Sequence, residues 1–272
     1  MLPGRILHEL VYNDRIIGGI DRPSAEAARD LYATFARGDL FLTDATTAEL
    51  VKLMENTNRD VNIALANEFA LVAEQLGVDI WHAIDLANRH PRVHFLSPGP
   101  GVGGHCIAVD PWFVVGAAPA FTPLITAGRA VNDAMPRHVA DLIADALGGL
   151  DGRVIVALGE TYKADVDDLR ESPAIEVAEL LHRAGAEVRT HDAVVRADRP
   201  IEDLAEGADC LALLVDHAAY RALDAAAIGR RMRRRVAIDT RNVLPLDRWM
   251  AAGFSLVRLG DGRRAPASVA VA

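Results

Sequence analysis

Four short segments of strand character after Gly152, the first of them an apolar run, constrain the fold of this chain more than any other feature. They cover residues 153–159, 186–192, 210–215 and 236–239. The stretches between them read as helices, beginning with one that has Ser172 as its N-cap and Pro173 in its first turn. Strands that alternate with helices are typical of a parallel sheet covered on both faces. The sequence therefore predicts a doubly wound α/β domain that begins near Leu150.

The residues before that boundary are predicted to be mostly helical. A short strand is expected over 16–20, and Ser24 is expected to cap the first helix. Thr46 and Glu49 have the spacing of a capping box, which would open a long helix that ends at Gly77. The predicted helices cover 25–37, 47–76, 79–89 and 121–148.

Charge and cysteine content exclude several classes of protein. The chain of 272 residues has 29 Lys and Arg against 38 Asp and Glu, a net charge of −9. This balance argues against binding to nucleic acid or to an anionic membrane surface. Two cysteines cannot form a disulfide framework, so we expect a reducing, cytoplasmic location. No signal peptide or apolar run of membrane-spanning length is evident.

Residues 99–113 form a glycine-dense loop around Cys106, with Asp110 four residues later. Glycines let the backbone approach a ligand and present N–H groups to it, so Cys106 is a candidate nucleophile. The alternative is a tight turn beside a small apolar cysteine. The glycines also match G-x-G-x-x-G, but Ser97-Pro98 precedes them and no acidic residue follows at the required spacing. We therefore reject a dinucleotide-binding turn here.

Other candidate residues are polar side chains on predicted faces and edges. Lys52 and Asn56 are four residues apart on the long helix and share one face, which either lines a site or faces solvent. Lys163, Arg170 and Arg241 follow predicted strand ends. Cations at the carboxyl edge of a parallel sheet suit a diphosphate ligand, although they could instead pair with neighbouring aspartates.

Taken together, these motifs resemble the UDP-glucose/GDP-mannose dehydrogenase family, and within it the branch that acts on UDP-N-acetylmannosamine. The resemblance covers nearly the whole chain. Its motifs are Leu2-Pro3-Gly4, residues 13–19, Ala48-Glu49-x-x-Lys52-x-x-x-Asn56, residues 60–64 with Asn67-Glu68, residues 87–93, the loop 99–113, Tyr162-Lys163, residues 167–173 and 214–217. His105 and the run His90-Pro91-Arg92 are typical of the acetylhexosamine branch.

The resemblance implies oxidation of a sugar C6 alcohol to a carboxylate, with NAD as the cofactor. Cys106 would capture the aldehyde as a thiohemiacetal and carry a thioester, while Lys52 and Asn56 stabilise the oxyanion. Asp110 would orient or activate water. Substrate contacts are expected from Lys163, Arg241, Gly103, Gly104, His105 and Arg92. Arg170 would contact the NAD pyrophosphate, and Arg92 would act on the substrate of a neighbouring subunit in a homodimer. No metal site is predicted.

The resemblance also implies a domain order. Residues 1–38 would be the end of an N-terminal NAD-binding domain, 39–150 a central helical dimerisation domain, and 151–272 a UDP-sugar-binding domain. The G-x-G-x-x-G turn and a catalytic glutamate of the family would lie upstream of Met1, so we expect this chain to have weak activity or none. The pathway implied is the synthesis of surface-polysaccharide precursors. The alternatives are a non-catalytic module for UDP-sugar binding or dimerisation and, less favoured, a cysteine hydrolase using His105 and Cys106.

Overall fold

The computed structural model describes residues 5–262, and it divides the chain into two compact units between Asn58 and Arg59. The division falls inside one long helix. The motif Leu2-Pro3-Gly4 lies outside the described residues. The predicted division at residues 38 and 150 stays a prediction.

The first unit contains a two-stranded parallel sheet and its helices. Its elements are α1 (Ile6–Tyr12), β1 (Arg15–Gly19), α2 (Arg22–Tyr32), β2 (Leu40–Asp44) and the start of α3 (Ala45–Leu76). β1 pairs with β2 from Arg15 opposite Leu40 to Gly19 opposite Asp44. The predicted strand at 16–20 is confirmed, whereas α1 and β2 were not predicted.

Both helix starts predicted in this unit were wrong by a few residues. Asp21 caps α2, and its carboxylate accepts the backbone N–H of Ser24 at 2.8 Å. Asp44 caps α3 by accepting the backbone N–H of Thr47 at 2.9 Å and its hydroxyl at 2.7 Å. In each case the aspartate accepts the N–H of the residue three positions later, in the first turn of the helix. Ser24 and Thr46 therefore lie inside the helices rather than at their N-caps.

The second unit begins with helices. After the remainder of α3 come α4 (Ile80–Ala87), α5 (Asp110–Ala117) and α6 (Pro123–Leu147). α3 ends before Gly77, whose φ of +69° favours glycine, as the sequence predicted. α5 was missed because Asp110-Pro111 reads as a break, yet proline fits the first turn of a helix.

The second unit continues as a five-stranded parallel sheet with the strand order β4-β3-β5-β6-β7. The strands are β3 (Val154–Leu158), β4 (Glu187–His191), β5 (Cys210–Leu213), β6 (Val236–Asp239) and β7 (Ser255–Arg258). The helices are α7 (Pro173–Arg183), α8 (Ile201–Leu204), α9 (Ala225–Arg231) and α10 (Leu246–Ala251). The four predicted strands are confirmed, and β7 was not predicted.

Side chains of β3 show that helices cover both faces of the sheet. Ile155 and Ala157 pack in a core cluster with residues of α6 and α7, such as Ile143. Val156 and Leu158 pack in a second cluster with residues of α8, α9 and α10, such as Trp249. Successive strand residues point to opposite faces, so this alternation confirms the doubly wound arrangement.

Ser172 occupies the N-cap position of α7 as predicted, and Pro173 lies in the first turn. Its hydroxyl makes no capping hydrogen bond, so the predicted side-chain cap is absent. Within residues 5–262, no helix combines the length and the apolar character needed to cross a bilayer.

A buried polar network joins α3 to α6 inside the second unit. The Asp60 carboxylate accepts Arg129 Nη1 at 2.6 Å and Asn132 Nδ2 at 2.8 Å. Asn67 Nδ2 donates to Asn132 Oδ1 at 2.9 Å. Asp60 is fully buried and the Arg129 side chain is 3% exposed. Buried charges of this kind require partners, so the network dictates which faces of the two helices meet.

Contacts near β7 attach the helices to the sheet. Glu74 Oε1 accepts the backbone N–H of Gly260 at 3.0 Å, and Gly260 accepts the N–H of Ile80 at 2.8 Å. Trp81 Nε1 donates to the carbonyl of Leu259 at 2.8 Å. The missed strand β7 therefore leads into the segment that anchors α3 and α4.

We predict that Arg129→Met lowers the free energy of unfolding by about 3–5 kcal/mol at neutral pH, because it leaves the Asp60 carboxylate buried without its cation. Burial raises the pKa of Asp60 even though Arg129 opposes the shift, so the variant raises this pKa further. A raised carboxyl pKa costs stability as pH rises above the unfolded value of about 3.9. Urea denaturation should therefore show a smaller deficit at pH 5 than at pH 8.

Arg137→Met is the matched control, since Arg137 is an exposed arginine of α6 paired with Asp141 at 3.0 Å. It should change stability by less than about 1 kcal/mol. Equal losses in the free energy of unfolding for the two variants would show that the buried network stabilises the fold no more than an exposed ion pair does.

Candidate functional site

A pocket of about 360 Å³ opens at the carboxyl edge of the five-stranded sheet. The loops after β3, β5 and β6 line it, together with the glycine loop and α3. Because β4 and β5 flank β3 on opposite sides, the loops after β3 and β5 diverge there. Open parallel sheets bind ligands at such a switch point. The lining includes the polar residues Arg59, Ser97, Thr161, Tyr162, Lys163, Asp216 and Arg241, together with the loop backbone at Gly103.

The loop after β3, which carries Tyr162 and Lys163, is anchored by the buried carboxylate of Asp192. Asp192 Oδ2 accepts the backbone N–H groups of Glu160 at 2.7 Å and Thr161 at 3.0 Å. His217 Nε2 lies 3.0 Å from the same oxygen, and His217 Nδ1 accepts the N–H of Asp165 at 3.0 Å. Burial opposes ionisation, but these donors outweigh it and hold the pKa of Asp192 far below its ordinary value.

Arg241 is held at the end of β6 in a comparable way. The buried Asp239 accepts the backbone N–H of Arg241 at 2.9 Å. The Arg241 side chain donates to Asp216 Oδ1 at 3.2 Å and to the carbonyl of Pro98 at 3.1 Å. These bonds aim the guanidinium across the pocket at the glycine loop and leave it partly exposed. Lys163 and Arg241 thus share one pocket, as the sequence predicted.

The glycine loop is held close to its neighbours. Asn67 Oδ1 accepts the N–H of Gly99 at 2.9 Å, which joins the loop to the buried network. A Cβ on Gly99 would lie 2.2 Å from Arg241 Nη1, so a larger residue there would displace the arginine from this position. Gly104 has a φ of +85° and would meet the Tyr162 ring at 2.9 Å if it carried a Cβ. Contact with a sugar stays a prediction for Gly103 and Gly104, of which Gly103 lines the pocket.

Cys106 is half-buried in the turn that leads into α5, and its carbonyl accepts the N–H of Asp110 at 2.7 Å. It lies close enough to Tyr162 and Arg170 to interact with both electrostatically. Cys210 is fully buried in β5, where burial raises its thiol pKa well above the ordinary value. Of the two thiols, only Cys106 is partly exposed; its neighbours Gly103 and Ile107 line the pocket, whereas Cys106 itself does not.

Arg170 does not line the pocket, although the sequence placed it with Lys163 and Arg241. Its guanidinium donates to Asp168 through Nε at 2.9 Å and Nη2 at 2.5 Å, and its carbonyl accepts the N–H of Gly104 at 3.0 Å. The hydrogen bond from Arg170 lowers the pKa of Asp168 to about 2. The alternative of pairing with a neighbouring aspartate is therefore realised for Arg170. Its contact with a cofactor stays a prediction.

Lys52 and Asn56 belong to the first unit. Lys52 Nζ donates to Asn56 Oδ1 at 3.2 Å and to Glu55 at 3.1 Å, so the two predicted partners touch. Arg92 and His105 are exposed, and Arg92 donates its backbone N–H to the ring of His90. The roles of these four residues in substrate chemistry stay predictions.

Three residues that line the pocket or position its loops were not identified as site residues from the sequence. Arg59 lines the pocket and follows Asn56 by one helical turn, so extending the predicted polar face would have found it. Asn67 was noted only as part of a motif, and its bond to Gly99 depends on tertiary structure. Asp216 could not be linked to Arg241 without the strand order.

We predict that Asp192→Asn lowers the free energy of unfolding at pH 7 by about 2–3 kcal/mol, because charge-assisted bonds to the loop are lost. A carboxyl pKa lowered on folding gives stability above the unfolded pKa of about 3.9, and this is lost as pH falls toward the folded value. Urea denaturation between pH 7 and pH 3 should therefore show a smaller acid-induced loss in the variant than in the parent chain.

The exposed Asp198→Asn serves as the surface control and should leave both the stability and its pH dependence nearly unchanged. If acid lowered the stability of Asp192→Asn as much as that of the parent chain, the lowered pKa of Asp192 would not be the source of the acid-induced loss.

Two models of one family match successive parts of the chain. The central domain of the UDP-glucose/GDP-mannose dehydrogenase family matches residues 46–134. The UDP binding domain of the same family matches residues 156–246, the region that holds Lys163, Asp216 and Arg241. The predicted resemblance is thereby confirmed.

Individual relatives agree with these models. The chain is 47% identical to UDP-N-acetyl-D-mannosamine dehydrogenase of Methanocaldococcus jannaschii, over 97% of this chain and 63% of that protein. It is 48% identical to NDP-N-acetyl-D-galactosaminuronic acid dehydrogenase of Ralstonia nicotianae, over 89% of this chain and 59% of that protein.

Solved structures show the same similarity. The UDP-D-ManNAc dehydrogenase of Pyrococcus horikoshii superposes with a TM-score of 0.91 at 45% identity, covering 96% of this chain and 63% of the other. The chain thus spans less than two thirds of the length of the relatives it matches. Its sequence motifs, its two matched domains and its five-stranded parallel sheet together show that the chain belongs to the UDP-glucose/GDP-mannose dehydrogenase family.

Proposed function

We propose that this chain is the sugar-nucleotide-binding and thiol-bearing part of an NAD-dependent dehydrogenase that oxidises C6 of a UDP-N-acetylhexosamine, UDP-N-acetylmannosamine being the favoured substrate. One observation carries the proposal. A single pocket is lined by two cations at strand ends, Lys163 and Arg241, and by Gly103 and Ile107, which flank Cys106. The relatives named for acetylhexosamine substrates support this choice of sugar.

In this proposal, Lys163 and Arg241 hold the diphosphate. Lys163 is a half-buried ammonium at the end of β3, and Arg241 is aligned by Asp216 and by the Pro98 carbonyl. An arginine held in place offers charge-assisted bonds to phosphate oxygens at a low cost in side-chain entropy. The diphosphate would thus be fixed at the sheet edge, with the sugar extending toward the glycine loop.

Cys106 then acts on the oxidised sugar carbon. Its sulfur would add to the C6 aldehyde and form a thiohemiacetal, whose oxidation leaves a thioester. Water would cleave the thioester, releasing the carboxylate and restoring the thiol. Lys52 and Asn56 would stabilise the oxyanion at that carbon, and Asp110, four residues after the thiol, would orient the water. These four roles follow from the resemblance to the family.

NAD, the proposed cofactor, supplies the capacity to accept hydride from the sugar carbon. Within residues 5–262, the G-x-G-x-x-G match at 99–104 lies in a loop and not between a strand and a helix, so it does not fit a dinucleotide. Arg170 offers an exposed cation, already paired with Asp168. Among the described residues, Arg170 is the one that we propose for a contact with the NAD pyrophosphate.

That misfit favours a second candidate function, a module that binds UDP-sugar without oxidising it. The same pocket serves both functions, and they differ only in whether Cys106 reacts. In either case we propose a homodimer formed through the central helices, with Arg92 reaching the partner's substrate. We place the protein in the cytoplasm, where both free cysteines would stay reduced.

We predict that UDP-N-acetylmannosamine slows alkylation of Cys106 by iodoacetamide several-fold in the 272-residue chain, because the sugar would cover the thiol. The measurement is the rate of mass gain with and without the sugar nucleotide. Cys210 should stay unmodified in the folded chain since it is buried, and Cys106→Ser should abolish labelling. An alkylation rate that does not change with the sugar nucleotide would show that a ligand in the pocket does not cover Cys106, and it would contradict the proposal.

A second prediction concerns turnover. We expect NADH formation from UDP-N-acetylmannosamine only in a longer version in which an NAD-binding domain is joined to this chain, since positioning a cofactor contributes about 7–11 kcal/mol in favourable cases. In that version, Cys106→Ser should abolish NADH formation and leave UDP-sugar binding intact. NADH formation by the 272-residue chain would overturn our account of the cofactor. An inactive longer version would favour the binding module.

A further inference from the structure

The proposed diphosphate site uses two cations, Lys163 and Arg241, and the pocket is lined by a third cation as well. Arg59 lines the pocket from α3, whereas Lys163 and Arg241 enter from the sheet edge. The Arg59 side chain is exposed, and no ion pair or side-chain hydrogen bond ties it to another described residue. Arg241, by contrast, already has Asp216 and the Pro98 carbonyl as partners. Arg59 is therefore available to a ligand.

The position of Arg59 along α3 separates it from the proposed diphosphate site. Along α3, Asn67 lies level with the proposed diphosphate site, because Asn67 accepts the N–H of Gly99, and Gly99 packs against Arg241. Arg59 precedes Asn67 by eight residues, a distance of about 12 Å along the helix axis. The two arginines thus enter the pocket at different levels of the α3 wall.

Arg59 also has an apolar neighbour that faces the same ligand. Ile63 lines the pocket and lies four residues later on α3, so the two side chains are adjacent on one helix face. A guanidinium beside an aliphatic side chain complements a group with a strong acceptor next to a methyl. An acetamido group has this composition, since its carbonyl accepts hydrogen bonds and its methyl is apolar.

We infer that Arg59 is a specificity-determining residue that donates to the acetamido carbonyl of a UDP-N-acetylhexosamine, while Ile63 contacts the acetamido methyl. This inference rests on the proposed function, because it requires the pocket to bind a UDP-sugar. It adds the feature that selects an N-acetylated sugar over its plain hexose counterpart. A site that hydrogen-bonds a polar group of one ligand discriminates against ligands that lack the group.

Calorimetry on the 272-residue chain with UDP-N-acetylmannosamine, UDP-mannose and UDP tests the inference. We expect Arg59→Met to weaken binding of the acetylated ligand roughly 10- to 100-fold, the range for one hydrogen bond to a charged group. UDP-mannose and UDP, which lack the acetamido group, should change less than about threefold. Arg59→Lys should also lose affinity for the acetylated ligand alone, because an ammonium lacks the planar fork.

Two further variants calibrate the result. Lys163→Met should weaken all three ligands alike, since they share the diphosphate. Arg137→Met removes an exposed arginine of α6 and should change none of the three affinities. Thermal unfolding of each variant confirms that the fold is retained, and Arg59→Lys provides the readout if Arg59→Met unfolds.

The possible outcomes separate the inference from the function on which it rests. Equal weakening of all three ligands by Arg59→Met would assign Arg59 to the diphosphate and overturn the inference, and so would unchanged affinities. Loss confined to the acetylated ligand supports it. If the parent chain binds none of the three ligands, the proposed function and the inference both fail.

Discussion

The buried bonds among Asp60, Arg129, Asn132 and Asn67 are the interaction on which the candidate site depends. Two charges in a protein interior are costly unless each finds partners, so this network tolerates only one way of packing α3 against α6. Asn67 then uses its remaining oxygen to hold the N–H of Gly99. The position of the glycine loop, and of the thiol that it carries, is thus tied to the packing of two helices rather than to the loop's own residues.

Buried carboxylates repeat this principle at the sheet edge. Asp192 binds the backbone of the loop after β3, and Asp239 binds the backbone after β6. Each carboxylate satisfies several backbone N–H groups that would otherwise lack partners. These two anions are used on the backbone, while Lys163 lines the pocket and Arg241 keeps a partly exposed guanidinium there. Asp216 offsets part of the Arg241 charge and sets its direction.

The accuracy of the sequence predictions follows the range of the interactions involved. Four of the five strands of the large sheet were predicted. β3, β5 and β6 are mostly apolar because they are buried on both faces, whereas the edge strand β4 is largely polar and only partly buried. Helix starts were less well predicted, since Asp21 and Asp44 accept N–H groups at Ser24 and Thr47 and so begin the helices before the residues predicted as caps. The strand β7 was missed because Ser255–Arg258 is short and only partly apolar. Arg170 was grouped with two other cations, yet its own neighbour Asp168 holds it apart from the pocket.

The sequence by itself determined the class of fold, the family, and the residue types available for chemistry, because periodicity and local motifs are written along the chain. Tertiary structure alone decided which of these residues meet. Lys163 and Arg241 are 78 positions apart, and the strand order β4-β3-β5-β6-β7 brings them to one pocket. Arg59 joined them only because buried polar bonds dictate how α3 lies against the loop. Such contacts depend on distances in space, which the order of residues along the chain does not contain.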